Sequence, residues 1–373
     1  MAQTVSIHIQ ELCELIVDVL RDSKPDLESC ALTSPAFTAA AQRHLFRDIN
    51  ITNGALPDRF FAILDAAPHI LPLVRRIQTT LREHTLAQLC KLHFPNLREL
   101  CFTGETSSSG LQLAANLIGL PSIRSVALDD CFWSIADGIR LFESRTTPLD
   151  SLILDTAGFG GDAEDPGPNS PLTRRIKLNR LDIRDRWDTW EWLLHPMSPF
   201  DLTAIHDLDY KSSNLFSPPA TLLNSSRQAL NKLSITHRAC NGVLQLCITV
   251  ADLPALTHLV VTVRRHLKWE VMVPLLRSNS VVLLTFVMNL RIHSTVSSGH
   301  STARLAVLRS NLSARAFPKL RTFELKVPAH FFGPGIGWHE VQERVRAALV
   351  EWDMYDKLQV VQNDDPDFHF IAL

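Results

Sequence analysis

Residues 97–102 read LRELCF, and the pattern returns as IRSVAL at 123–128, LDSLIL at 149–154 and LNRLDI at 178–183. Each hexamer carries apolar residues at its first, fourth and sixth positions. The beat continues at Ile205/Leu208/Tyr210, Leu230/Leu233/Ile235, Leu256/Leu259/Val261, Val281/Leu284/Phe286 and Leu320/Phe323/Leu325, with a fainter earlier instance at Val74/Ile77/Thr79. Counted from Leu97, successive first positions lie 26, 26, 29, 27, 25, 26, 25 and 39 residues apart. One such hexamer means little, because Leu is common. A near-constant period marks a chain built from stacked copies of one supersecondary unit.

Each hexamer predicts a short strand whose alternate side chains, such as Leu100 and Phe102, enter a core while the positions between them face solvent. The segments between hexamers carry apolar residues at helical spacing: LQLAANLIG (111–119), IADGIRLFESR (135–145), GVLQLCITVADL (242–253) and EVMVPLLRS (270–278). One strand plus one helix cannot bury its own apolar faces, so neighbouring units must stack into a solenoid. FPNLREL, LPALTHLVV and FPKLRTFEL resemble divergent leucine-rich repeats. The fold class expected is therefore α/β, a leucine-rich-repeat-like solenoid over residues 96–330. The Asn or Cys that usually follows the strand in that family is mostly absent, so an irregular turn is expected there. AGFGGDAEDPGPNSPLTRR (157–175) and HSTVSSGHSTARL (293–305) read as loop insertions. In residues 331–373 the breaker FFGPGIG precedes WHEVQERVRAALVEWDMYDKL, which puts Val341, Val345, Leu349 and Trp352 on one stripe. A helix and tail capping the last repeat are expected.

Residues 1–52 have a different grain. IQELCELIVDVL (9–20) places Leu12, Leu15, Ile16, Val19 and Leu20 on one helical face. Pro25 suits the first turn of a second helix through Leu27 and Leu32, and Ser34-Pro35 supplies an N-cap and first-turn proline for a third, ending near Phe46. DINIT follows as a strand, and residues 53–95 read as a helical linker with a first degenerate repeat.

The run IHIQELCELIVDVLRDSKPDLESCALTSPAFTAAAQRHLFRDINI resembles the F-box of fungal, mushroom-type F-box proteins, and FFAILDAAPHILPLVRRIQT (60–79) is similar to the segment that follows it in that family. The usual opening Leu-Pro is His8-Ile9 here, and the usual Trp of the third helix is Phe37. The resemblance implies a substrate-receptor subunit that docks a Skp-type adaptor of a cullin-RING ubiquitin ligase. Carried over by position, Ile9, Leu12, Leu15, Ile16, Leu20, Leu27 and Leu32 are the adaptor-binding candidates. The alternative is a leucine-rich-repeat scaffold whose F-box-like cap binds no adaptor.

Other chemistry finds little footing. The chain of 373 residues has 37 Lys and Arg against 39 Asp and Glu, a formal net charge of -2, so it exerts no bulk attraction on nucleic acid or an anionic membrane. Its seven cysteines are scattered in apolar runs and read as small buried hydrophobes in a reducing compartment. With neither signal peptide nor membrane-length apolar run, a cytoplasmic or nuclear protein is expected. No HExxH, CxxC or GxSxG is present, and Gly158-Phe159-Gly160-Gly161 lacks the Lys-Ser/Thr of a phosphate loop. No enzyme, metal or cofactor is expected. The three tryptophans of RWDTWEWLLHP (186–196) read as a helix packed against the next repeat.

What remains is the solvent side of the strands. Arg180, Asp182 and Arg184, then Asp207, Asp209 and Lys211, then Lys232 and Ser234 fall in neighbouring repeats, while Ala127, Ile153, Val260 and Thr285 are expected at the centre of earlier and later ones. Stacking should make the seven charged residues a mixed-charge patch on the concave face, the candidate surface for an unidentified protein client.

Overall fold

In the computed structural model, which describes residues 9–105, 107–159, 175–184, 189–212, 220–237, 252–264, 280, 282–291, 305–306, 308–310, 312–327 and 336–362, the apolar beat becomes parallel strands. The chain divides into two compact units, Met1–Leu149 with Ala157–Arg174, and Asp150–Thr156 with Arg175–Leu373.

The first unit begins with helices α1 (Ile9–Val19), α2 (Lys24–Thr33) and α3 (Pro35–Leu45). Pro25 sits in the first turn of α2, and the Ser34 hydroxyl accepts from the Ala36 N–H at 3.3 Å to cap α3, as the sequence predicts. Val17, Leu27, Ala40 and Ala41 form the buried centre of this trio, with Leu20, Cys30, Phe37 and Leu45 packed against it. Arg43 and His44 of α3 reach Glu14 and Asp18 of α1 at 2.9 and 2.7 Å, tying the first helix to the third.

Strands β1 (Asp48–Ile51), β2 (Arg76–Thr80), β3 (Glu99–Thr103) and β4 (Ser125–Asp129) then pair in parallel and in chain order. Register aligns Ile77 with Leu100 and Leu100 with Val126, and every one of these side chains is buried. The faint instance at Val74/Ile77/Thr79 belongs to this array, all three residues being buried. Helices α4 (Leu56–Ala66), α5 (Glu83–Lys91), α6 (Ser108–Ile118) and α7 (Ile135–Glu143) lie in the connections. Ser107 and Ser134 cap the last two by accepting from Gly110 N and Asp137 N. Arg145, buried without solvent, donates to the carbonyls of Ile118, Ile123 and Pro148 at 2.6 to 2.8 Å and so fixes the loop between repeats.

After β3, β4 and β6 (Leu149–Asp155) the turn repeats one conformation where irregularity is expected. Gly104 (φ 82°), Asp130 (φ 50°) and Thr156 (φ 50°) all occupy the left-handed region, each just beyond a strand and 26 residues from the next. Three different residues fill one backbone conformation, so no single letter marks it. Cys131 follows Asp130, and its thiol donates to the Phe102 and Asp129 carbonyls at 3.5 and 3.3 Å. A two-residue parallel ladder, β5 (Phe132–Trp133) with β7 (Gly158–Phe159), continues beyond that turn.

In the second unit the strand order is β6 (Leu149–Asp155), β8 (Ile176–Arg184), β10 (Asp207–Ser212), β11 (Lys232–His237), β12 (His258–Arg264), β13 (Thr285–Arg291), β14 (Thr322–Val327) and β15 (Leu358–Gln362), with β9 (Phe200–Asp201) beside β8. From β8 onward the strands pair in parallel, and Leu181, Leu208, Leu233, Leu259, Phe286 and Phe323 line up across them. Two sequence expectations change. Met288, not Phe286, pairs with Val261 and Leu325, so the repeat frame is Leu283/Phe286/Met288 rather than Val281/Leu284/Phe286, and Val287 rather than Thr285 is the central outward residue. The residues from 331 do not simply cap the array. Helix α10 (Trp338–Leu349) buries Val341, Val345 and Leu349 as predicted, but leads into β15, which pairs in parallel with β14. It is the connection of one further repeat. Phe323 stacks edge-on against Phe286 and Trp352 at 5.3 and 5.1 Å between ring centres, and Trp352 donates to the Leu312 carbonyl at 2.7 Å.

Helices α8 (Thr189–Leu194) and α9 (Ala220–Ser226) lie between strands. Trp190 and Trp192 are buried against Tyr210 and Phe200 respectively, in agreement with a packing role. Trp187, the helical segments of 242–251 and 270–278 and most of the two loop insertions lie outside the described residues.

Candidate functional site

Two surfaces collect the residues singled out in the sequence. The first is on α1. Its periodicity offers two apolar faces, and folding uses the one carrying Cys13 and Val17, both buried. The other stays in solvent: Leu12, Leu15, Ile16 and Val19 are 49, 56, 40 and 83% exposed, and Leu32 on α2 is 88% exposed. Four large apolar side chains at i, i+3, i+4 and i+7 form a contiguous stripe, unlike the scattered apolar residues of an ordinary surface.

Of the seven adaptor-binding candidates, Leu12, Leu15, Ile16 and Leu32 are therefore surface residues, Leu20 is half-buried, and Leu27 belongs to the core. The side chain of Ile9 lies outside the described set. Val19, absent from the candidates, completes the stripe; its place seven residues after Leu12 was the signal for it.

The second surface is the outward face of β8, β10 and β11. Register puts Arg180, Asp207 and Lys232 in one row, Asp182, Asp209 and Ser234 in the next, and Arg184, Lys211 and Thr236 in the third. All seven charged candidates share this face. They are not equally exposed to solvent. Asp182, expected outside, is only 2% exposed. Arg184 folds back over it, donating from Nε and Nη2 to its two oxygens at 3.3 and 3.1 Å, and Lys211 covers the other side at 3.9 Å. Arg184 Nη1 also reaches Asp155 at 2.8 Å, and Lys211 Nζ reaches Asp209 at 2.8 Å. Asp155, which sequence reasoning missed, thus closes a five-membered chain of alternating charge. The hydrogen bond to Asp182 pushes the Arg184 pKa further up, so this guanidinium stays charged throughout.

The row at the strand starts is looser. Arg180 and Lys232 flank Asp207 at 3.9 and 3.6 Å, beyond hydrogen-bond length, and their side chains are 45 and 46% exposed. One oxygen of Asp207 and one of Asp209 are buried without a hydrogen bond. Past the charges the central row continues through Val260 and Val287, half-buried, to Glu324.

Among the described residues, no group of His, Cys, Asp and Glu could hold a metal ion and no helix is long and apolar enough to cross a membrane. Cys13, Cys101 and Cys131 are buried as expected, whereas Cys30 is half-buried and Cys90 exposed. Burial pushes the Cys131 thiol up to about 12, the opposite of what a nucleophile needs.

No family model matches the chain and no curated protein does. Among solved structures, the TLR13 chain of a TLR13–ssRNA13 complex is similar at 13% identity and a TM-score of 0.33, covering 86% of this chain and 47% of that one. This chain thus spans about half the length of that match. An internalin from Listeria monocytogenes str. 4b F2365 is similar at 14% identity and a TM-score of 0.25, covering 84% of this chain and 91% of that one. Both overlaps are low, and the repeat architecture rests on the chain's own strand register.

Proposed function

We propose that this chain is the substrate-receptor subunit of a cullin-RING ubiquitin ligase, docking a Skp-type adaptor through its N-terminal helices and capturing a protein client on the outward face of β8, β10 and β11. It catalyses nothing itself in this reading; it raises the concentration of the client beside the ligase. Such a protein works in the cytoplasm or nucleus.

The observation that carries the reading is the bare stripe Leu12, Leu15, Ile16 and Val19 on a helix already anchored by Cys13 and Val17. Leaving those side chains in water forgoes roughly 1.5–3 kcal/mol for each one that a partner would fully bury. The resemblance of the run from Ile7 to Ile51 to an F-box is what points to a Skp-type adaptor as that partner.

The test is co-purification of the full chain with a recombinant Skp-type adaptor. Leu15→Asp with Ile16→Asp should abolish capture while the fold survives, because neither residue supports the core. Capture that persists in this variant would take the adaptor off the stripe, and failure of the parent chain to capture it at micromolar concentrations would rule out the adaptor and leave a scaffold built on the same repeats.

A further inference from the structure

The charges of the eight residues of this patch, Asp155, Arg180, Asp182, Arg184, Asp207, Asp209, Lys211 and Lys232, sum to zero but are uneven along the strands. At the strand starts two cations, Arg180 and Lys232, share the single carboxylate of Asp207. Two to four residues further on, three carboxylates, Asp155, Asp182 and Asp209, share the two cations Arg184 and Lys211. The first group therefore has a positive surplus and the second a negative one. Their hydrogen bonding is uneven in the same sense. Arg184 and Lys211 spend their donors at 2.8 to 3.3 Å on the carboxylates beneath them. Arg180 and Lys232 meet Asp207 only at 3.9 and 3.6 Å and stand nearly half exposed.

We infer that this face sets the charge order of its partner: it takes an extended segment with an acidic side chain over Arg180 and Lys232 and a basic one toward Asp155 and Asp209. The inference rests on the client-capturing role proposed for this face and names the chemistry of the client. At about 3.3 Å per residue, the rows of Arg180 and Arg184 are roughly 13 Å apart, which an extended peptide spans with charges four residues apart. A segment with one sign of charge gains at one end and is repelled at the other. The polarity thus rejects plain polyanions and polycations, the way charge order confers specificity more than strength.

The experiment titrates the full chain with fluorescent peptides of matched length: one with Glu and Lys four residues apart, one with Glu alone, one with Lys alone and one uncharged. The paired peptide should bind about fivefold tighter than either singly charged one, an advantage that shrinks as salt rises. Arg180→Glu with Lys232→Glu, at two well-exposed positions whose loss a melting curve can show to be harmless, should turn the contribution of Glu into a penalty and make the Lys-only peptide bind more tightly. Equal binding of all four peptides, indifferent to that reversal, overturns the charge order while leaving capture on this face intact. Tightest binding of a singly charged peptide also overturns it. Binding of none at ~1 mM overturns the inference and the client-capturing role together.

Discussion

The N-terminal helices and the outward face of β8, β10 and β11 were both singled out as binding surfaces, yet they handle their side chains in opposite ways. On α1 the fold uses one apolar face and leaves a second one bare. On the sheet the charges are drawn inward and satisfied by one another, to the point that Asp182 is buried at a position where neighbouring strands carry half-buried residues. A bare apolar stripe has no internal use, so its substitution should leave stability alone and act on association. A self-paired ionic patch is part of the architecture, so its members divide into those that hold the sheet together and those that face outward.

The sharpest way to break this contrast is to truncate the two kinds of leucine. Leu27→Ala should destabilise the chain by about 2–5 kcal/mol in urea unfolding, as a buried core leucine does, whereas Leu15→Ala should stay within about 0.5 kcal/mol of the parent. Similar losses for both would mean that the stripe is covered in solution. On the sheet the same division runs through the carboxylates. Asp182→Ala removes the acid shared by Arg184 and Lys211, which keep Asp155 and Asp209, and should cost about 1.5–3 kcal/mol, while Asp207→Ala, losing only long and partly exposed contacts, should cost no more than about 1 kcal/mol and less in high salt. Reversing charge at Asp182 to probe client capture would therefore confound binding with folding; Arg180 and Lys232 are the better probes.

A smaller effect is expected at the turn after β6. Thr156 is β-branched at φ 50°, a conformation that glycine adopts freely at the matching position 104. Thr156→Gly should leave stability unchanged or raise it by up to about 1 kcal/mol, the relief of strain offsetting the added freedom of the unfolded chain. A clear loss in the urea midpoint would show that the Thr156 side chain has a structural use of its own.

The cysteines repeat the division between exposed and inward groups. Cys90 should react with iodoacetamide in the native chain, and Cys131 should not until the first unit opens. Because folding raises the Cys131 pKa from 9.0 to about 12, its protonated thiol contributes stability that is full below pH 9 and is lost as pH climbs toward 12. A melting temperature that rises across that window in the parent, relative to Cys131→Ser, would contradict the assignment.

Much of this was legible before any coordinates. The strand beat is readable because Leu97/Leu100/Phe102 and its successors alternate cleanly with polar residues. It slips at VVLLTFVM because consecutive apolar residues allow more than one frame, and only pairing with Val261 and Leu325 selects Phe286 and Met288. Strand β15 escaped notice although Tyr355/Leu358/Val360 keeps the spacing, because a Tyr opens it 35 residues after Leu320 and the helix before it reads as a cap. On α1 the sequence marked only the face of Leu12, Leu15, Ile16 and Val19, whereas the core takes the narrower face of Cys13 and Val17, Val17 being packed with Leu27, Ala40 and Ala41. The burial of Asp182 was invisible for a related reason: its covering cation Lys211 comes from the next strand and Arg184 folds back along its own. The clue was an acid flanked by Arg at both i−2 and i+2.

The central claim, that the α1 stripe exists for a partner rather than for the fold, is tested most directly by measuring the affinity of a Skp-type adaptor for the parent chain and for Leu15→Asp/Ile16→Asp alongside their melting temperatures. An affinity at least thirtyfold weaker is expected in the variant, the loss of about 2 kcal/mol or more typical of an interface hot spot, at an unchanged melting temperature. Equal affinities, or a melting temperature that falls together with binding, would contradict it.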